Sequence, residues 1–178
     1  MWRDITNATN ERGMIATILP PKVFLGNTLN YVYSIYFDGE KYNPTFTITQ
    51  LVYLCGILNS FPVDFVLRHK ISSHANIFYV KELPIPTYDS KNILHKKICE
   101  NSAKLICCSK EFDILAKEIG VTGVKDPDER NTLIAQISAL SAKIYGFSED
   151  ELKIILQNFP IVNESQKELV LEEFALLK

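Results

Sequence analysis

Glycine and proline are scarce, 7 and 8 of 178 residues, together about two-thirds of the roughly 12% of average proteins. A collagen-like or low-complexity flexible chain is excluded. No apolar run approaches the ~18 residues of a membrane span, so no membrane partner is expected. The opening Met1-Trp2-Arg3-Asp4 lacks a signal-peptide layout. The 4 cysteines (Cys55, Cys99, Cys107 and Cys108) contain no C-x-x-C pair, and adjacent Cys107 and Cys108 do not readily bridge each other. That removes zinc-ribbon and thioredoxin-like motifs. The thiols read as reduced, small apolar side chains of a cytoplasmic protein. Motifs for common chemistry are missing too: there is no G-x-G-x-x-G, P-loop or G-x-S-x-G.

Nor do the remaining reactive side chains assemble a site in the sequence. His69 and His74 lie five apart with no third histidine and no carboxylate at ligand spacing, so no metal is expected. Ser72, Ser73 and His74 are adjacent, but adjacency does not make a nucleophile–base pair. Tyr42-Asn43-Pro44-Thr45 looks superficially like the Asn-Pro-Pro-Tyr signature of amino-methyltransferases. It lacks the second proline and the aromatic residue, and it reads as a turn. The chain therefore carries no catalytic constellation of its own.

Charge is balanced overall, 19 basic against 21 acidic side chains, which argues against nucleic-acid binding through bulk positive charge. The distribution is uneven. Residues 1–64 carry a net −1, residues 65–99 a net +4 with all 3 histidines, and residues 100–178 a net −5. Within the basic window, Phe65 to Lys81 is free of acid and holds Arg68, Lys70 and Lys81 among Ser72, Ser73, His74 and Asn76. Such a loop suits a phosphate backbone. A solvated helix end, its cations complementing the helix dipole, is the alternative.

Periodicity and breakers predict an α+β chain: a small mixed or antiparallel β element with helices in the first half, followed by a helical bundle. Residues 14–19 read as a strand ended by Pro20-Pro21, Gly26-Asn27 as a turn, and the aromatic run Tyr31 to Phe37 as a buried strand. Asp38 to Lys41 is a hairpin turn, with its loop continuing to Asn43-Pro44. Two helices broken near Asn59 follow, the second capped by Ser60 with Pro62 in its first turn. Residues 77–80 (Ile-Phe-Tyr-Val) read as a strand, and Pro84 and Pro86 as an extended exit. A long helix from about Lys91 to Ile119, capped by Ser90 and stopped by Gly120, comes next. Asp126-Pro127 and Ser148-Glu149-Asp150-Glu151 are helix starts, Pro160 is a stop, and a last helix covers about Ser165 to Leu177. The change to an all-helical pattern from Ser90 onward places a boundary between residues 1–89 and 90–178.

Blocks along the chain resemble a known family. Arg3-Asp4-Ile5, Ala8-Thr9-Asn10-Glu11-Arg12, Met14-Ile15-Ala16 and Leu19-Pro20 resemble the end of the target-recognition domain of fused restriction–modification methyltransferases, the type IIG and IIL enzymes. Gly26-Asn27, Leu58-Asn59-Ser60-Phe61, Asp64, Arg68 with Lys70, and Leu83-Pro84-Ile85-Pro86 follow in family order. So do Ile144-Tyr145-Gly146-Phe147, Glu151-Leu152 with Ile155-Leu156, and Phe159-Pro160. Gly13 departs from the family's usual Thr, Ala75 from its usual Leu, and Pro62 interrupts a helix the family leaves unbroken. The resemblance implies a parent adenine DNA methyltransferase using S-adenosylmethionine, with or without an endonuclease. This chain would supply the end of its recognition domain (1–89) and its helical domain (90–178), docking on double-stranded DNA beside the methyltransferase core, with no cofactor in the chain itself. Arg12, Asn27, Arg68, Lys70, His74 and Lys81 are the DNA-contact candidates by position and charge. A module docking on the core without touching DNA is the alternative, and a homodimer through an unpaired edge strand stays open.

Overall fold

The computed structural model describes residues 1–7 and 9–177, which leaves Ala8 of the resembled block outside the described residues. The first third is thin in secondary structure. Strand β1 (Trp2–Arg3) pairs antiparallel with β2 (Leu29–Asn30), and β3 (Ile35–Phe37) pairs antiparallel with β4 (Tyr42–Pro44). Eight helices follow: α1 (Ile48–Leu58), α2 (Phe61–Arg68), α3 (Ile77–Lys81), α4 (Ile93–Ile106), α5 (Asp113–Ile119), α6 (Pro127–Ile144), α7 (Glu149–Gln157) and α8 (Glu164–Leu176). The architecture is α+β with a helical C-terminal part.

Local chemistry accounts for most helix ends. Thr47 and Gln50 form a reciprocal capping box at α1, and Ser148 and Glu151 do the same at α7. Asp126 accepts from the Asp128 and Glu129 amides, with Pro127 opening α6. Gly120 and Gly146 stop their helices at φ of 81° and 74°, a left-handed conformation glycine adopts without a Cβ penalty. The break between α1 and α2 bends the chain by 62°. Asn59 makes that corner: its Nδ2 donates to Cys55 O (2.7 Å) and Ala16 O (2.9 Å), while its Oδ1 accepts from the Ala16 amide (3.0 Å). One side chain thus closes α1 and grips the 14–19 segment as a strand partner would. Ser60 stands at the N-cap of α2 but makes no side-chain cap; its hydroxyl donates to Ile57 O (2.7 Å) and accepts from the Ser141 hydroxyl (2.9 Å).

Packing joins the two halves. One apolar cluster unites Trp2, Met14, Val52, Ile57 and Leu67 with Ile98, Ala103, Ile137 and Leu140. A second sets Phe61 of α2 among Ala135, Ala139, Leu152, Phe159, Val170 and Phe174. Both clusters cross residues 89/90, so the boundary expected there is not a gap between cores. Gly56 lets α1 close on α4, since a Cβ there would collide with Ser102 Oγ and stand 2.8 Å from Ile98 Cγ2. No single helix is long and apolar enough to cross a membrane.

Several sequence expectations are overturned. Residues 77–80 form α3, not a strand: Asn76 accepts the Phe78 amide (3.0 Å) as an N-cap, and Ile77 and Val80 turn together onto the core at helical spacing. The capped start outweighs the β-propensity of those side chains. In the aromatic run only Ile35–Phe37 is strand, and it is exposed rather than buried because nothing among the described residues covers it. Pro44 ends β4 instead of lying in a loop. Of residues 14–19, Ala16 alone makes a bridge, to Trp2. The helix expected from Lys91 to Ile119 is broken. Asn92, not Ser90, caps α4 through the Leu94 amide (2.8 Å), and the helix ends before Cys107. A 3-10 turn (Lys110–Phe112) then leads into α5. The break is filled by the returning chain, whose Gly123 lies so close to the Cys107 carbonyl that a Cβ would collide with it.

Candidate nucleic-acid interface

Asp64 lies in the first turn of α2 and is fully buried. Its Oδ2 accepts from Arg12 Nε (2.8 Å) and the Gly13 amide (3.0 Å), and its Oδ1 accepts from the Met14 amide (3.0 Å). Arg68, one turn along α2, places Nε 3.9 Å from Oδ1. The two guanidiniums are held on their other sides as well. Arg12 Nη2 donates to Asn59 O (2.5 Å), and its Cζ lies 4.2 Å from the Phe61 ring centroid. Arg68 Nη2 donates to the carbonyls of Asn10 and Glu11, with Cζ 4.3 Å from the Phe159 centroid. Burial pulls the Arg68 guanidinium below its ordinary pKa, Asp64 opposes this, and Arg12 adds to it. An arginine nonetheless stays charged, so charge-assisted bonds and ring faces replace its lost water.

Several of the resembled blocks meet in this knot: Asn10-Glu11-Arg12, the Met14 amide, Asn59-Ser60-Phe61, Asp64, Arg68, and Phe159 just past α7. The place of Gly13 also becomes intelligible, because a Cβ there would stand 2.6 Å from Asp64 Oδ1. Two consecutive amides reach the carboxylate because residue 13 has no side chain in the way.

The knot redistributes the DNA-contact candidates. Side-chain exposure is 16% at Arg12 and 4% at Arg68, so both face inward and neither offers its guanidinium to a phosphate in this conformation. Lys70 is exposed and ion-paired with Glu82 (2.9 Å), just past the acid-free run. His74 is exposed and its Nδ1 meets Asp4 Oδ2 (2.8 Å), while Asp4 Oδ1 accepts from Asn30 Nδ2 (2.8 Å). Asn27 and Lys81 are exposed. Lys70, His74 and Lys81 remain on the surface of one stretch, the end of α2 through α3. Arg68, which the charge count placed with them, and Arg12 belong to the interior.

Beside Lys81 the surface changes character. A groove of about 680 Å³ runs between the 16–34 segment, α1 and α3. Ile18, Leu19, Leu51, Leu54, Ile77 and Val80 make its floor and walls, and Phe24, Tyr31, Tyr33 and Phe46 its rim. Among the described residues lining it, Lys81 carries the charged side chain. Phe24 is 99% and Tyr33 72% exposed, in a chain segment (residues 13–37) without a single Asp or Glu. These apolar residues escaped the sequence reading, which sought function in charge. The missed signal was an acid-free, aromatic run too short of neighbouring elements to be buried.

Among the described residues no group of three or more His, Cys, Asp or Glu side chains could hold a metal ion. No family model, curated protein or solved structure matches the chain.

Proposed function

We propose that this chain is the DNA-recognition end, with the adjoining helical domain, of a restriction–modification adenine methyltransferase, and that it positions duplex DNA for a catalytic core outside it. The supporting observation is the convergence of the resembled blocks. Residues 10–14, 59–68 and 159, far apart in sequence, interlock at Asp64, as expected of blocks that describe one folding unit. The matched arginines then serve as framework, and DNA contact falls to the exposed Asn27, Lys70, His74 and Lys81. S-adenosylmethionine belongs to the core in this reading, since the residues here do not fit it. Tyr42-Asn43-Pro44 is spent on an exposed hairpin strand, and the groove has no carboxylate to take a ribose.

Anisotropy titration with a fluorescent duplex at low salt tests the reading. Weak, salt-sensitive binding is expected. Each phosphate contact removed by Lys70→Ala or Lys81→Ala lowers the slope of log K against log salt by about 0.9. Absence of binding, together with undiminished DNA affinity of a parent protein carrying both changes, overturns it.

The apolar groove favours a second reading, a module that docks on the methyltransferase core without touching DNA. Exposed apolar patches of this kind mark interaction surfaces. Leu51→Glu and Val80→Glu would then release the core while leaving DNA affinity unchanged.

A further inference from the structure

We propose that the aromatic rim of the groove stacks an unpaired base of bound DNA, with Lys70 and Lys81 on the flanking phosphates, a site that rests on the DNA-recognition reading and narrows its substrate to DNA with a base out of the helix. The basic stretch at residues 70–81 and the aromatic run that begins at Tyr31 lie against each other beside β1 and β2. His74 Nδ1 meets Asp4 Oδ2 (2.8 Å), and Asp4 Oδ1 accepts from Asn30 Nδ2 (2.8 Å). Trp2 Nε1 and Asn30 Nδ2 both donate to Ala75 O (2.6 and 3.3 Å). Tyr31 follows Asn30 directly, and Tyr31, Tyr33 and Lys81 all line the groove.

The groove calls for an occupant that is apolar and anionic at once. Its volume of about 680 Å³ falls within the roughly 300–1,000 Å³ of pockets that take small organic ligands. Charge around it has one sign. Residues 13–37 hold no Asp or Glu, and the exposed Lys22 precedes the lining residues Val23 and Phe24. Lys81 makes no ion pair among the described residues. The acids beside the basic stretch are already occupied, Asp4 by His74 and Asn30, and Glu82 by Lys70. An apolar protein helix would match the floor but not the charge. Paired DNA would match the charge but keeps its base faces inside the stack. A base out of the stack brings an aromatic face and two phosphates together.

The rim is built for a flat ring. Tyr31 and Tyr33 pack edge to face, with centroids 5.3 Å apart and planes at 89°. Such a pair covers one face of one ring only, and the two side chains are 49% and 72% exposed. Each ring also steadies the other before any ligand arrives, which lowers the ordering cost of binding. Their hydroxyls, 3.5 Å apart, can each donate or accept at a base edge. Phe24, at 99% exposure, leaves its ring open to solvent. The Lys70–Glu82 pair is a surface contact of little worth, so a phosphate can replace Glu82 at small cost.

Anisotropy titration of the full chain at low salt, with an intact duplex and the same duplex carrying one bulged adenine, tests the proposal. The bulged duplex is expected to bind tighter by roughly 5- to 150-fold, the effect of one base stacked on an aromatic ring. A bulge also makes DNA easier to bend, so variants separate stacking from shape. Tyr31→Ala with Tyr33→Ala is expected to remove the preference and leave affinity for the intact duplex unchanged. Tyr31→Phe with Tyr33→Phe is expected to keep it, and Lys81→Ala to weaken both duplexes alike. Circular dichroism checks that the variants stay folded. Equal affinity for the two duplexes overturns the proposal and leaves the DNA reading standing. Absence of binding to either also overturns it, and leaves the DNA reading to the parent protein carrying Lys70→Ala and Lys81→Ala. A preference that survives loss of both tyrosines, or is lost in the phenylalanine variants, overturns stacking as its cause. Release of the methyltransferase core by the alanine pair, with the bulge preference intact, assigns the rim to that core instead.

Discussion

Arg12 and Asp64, 52 residues apart, meet at 2.8 Å with the carboxylate wholly buried, and Arg68 stands on its other oxygen at 3.9 Å. Two cations thus depend on one anion inside the protein. A buried pair contributes modestly when complete, because desolvation offsets the attraction, yet breaking it strands a charge.

Asp64→Ala is therefore expected to destabilise by about 3–5 kcal/mol, measured by urea denaturation. Asp64→Asn keeps an acceptor for the Gly13 or Met14 amide and is expected to cost less. Surface pairs give the contrast: Lys70→Ala, which breaks only the exposed contact with Glu82, is expected to change stability by less than about 1 kcal/mol.

Gly13→Ala tests the same knot from the backbone side. The new Cβ would stand 2.6 Å from Asp64 Oδ1, so either the carboxylate or the 12–14 segment must move. A loss of about 1–3 kcal/mol is expected, as for overpacking elsewhere, with a lower melting temperature. Gly26→Ala is the control, because its Cβ would meet nothing within 4 Å.

His95 makes stability depend on pH. The ring is buried against Tyr53, with centroids 4.8 Å apart, and its Nδ1 accepts the Asp89 amide at 2.9 Å. Burial lowers its pKa from 6.5, and the nearby Asp89 charge only partly offsets this. The unfolded chain therefore takes up the proton first. The stability from the neutral ring is complete above about 6.5 and declines as pH falls below it, until the folded ring protonates as well. Chemical denaturation between pH 7.5 and pH 5 (roughly the window set by the ordinary histidine value) should show this slope in the parent sequence. It should be shallower in His95→Gln.

The cysteines should differ in reactivity although the sequence treats them alike. Burial pushes the Cys55 and Cys99 thiols up to about 11, so little thiolate exists at neutral pH. Cys107 is raised in the same direction. Cys108 is only half-buried, and Arg130 Nη1 approaches its Sγ at 3.1 Å. Timed labelling with a thiol reagent under native conditions is expected to modify Cys108 first and Cys55 last. Labelling of all four at one rate would signal global opening instead.

Much of the helical frame was legible because its signals are local. Asp126-Pro127, Ser148 with Glu151, and the two helix-stopping glycines act through bonds to neighbours within a turn, and the structure carries all of them. The break at Asn59 was legible for the same reason, since Asn-Ser-x-Pro cannot continue a helix unaltered. The Asn76 cap was equally local, but the β-branched and aromatic residues after it pointed the other way. The cap together with the shared core contact of Ile77 and Val80 decided in favour of a helix.

The roles of the charged residues were settled elsewhere. By itself the sequence determined that positive charge collects in residues 65–99 and that residues 13–37 carry no acid. It could not say which cations face water, because that depends on partners brought together by folding. Arg12 and Arg68 turn inward because the α1–α2 corner carries Asp64 to two free amides and two aromatic faces, a site able to replace their hydration. Tyr31 to Phe37 stays outside because no element among the described residues lies over it. Side-chain propensity describes what a residue tolerates; the tertiary structure supplies, or withholds, the surface against which it is used.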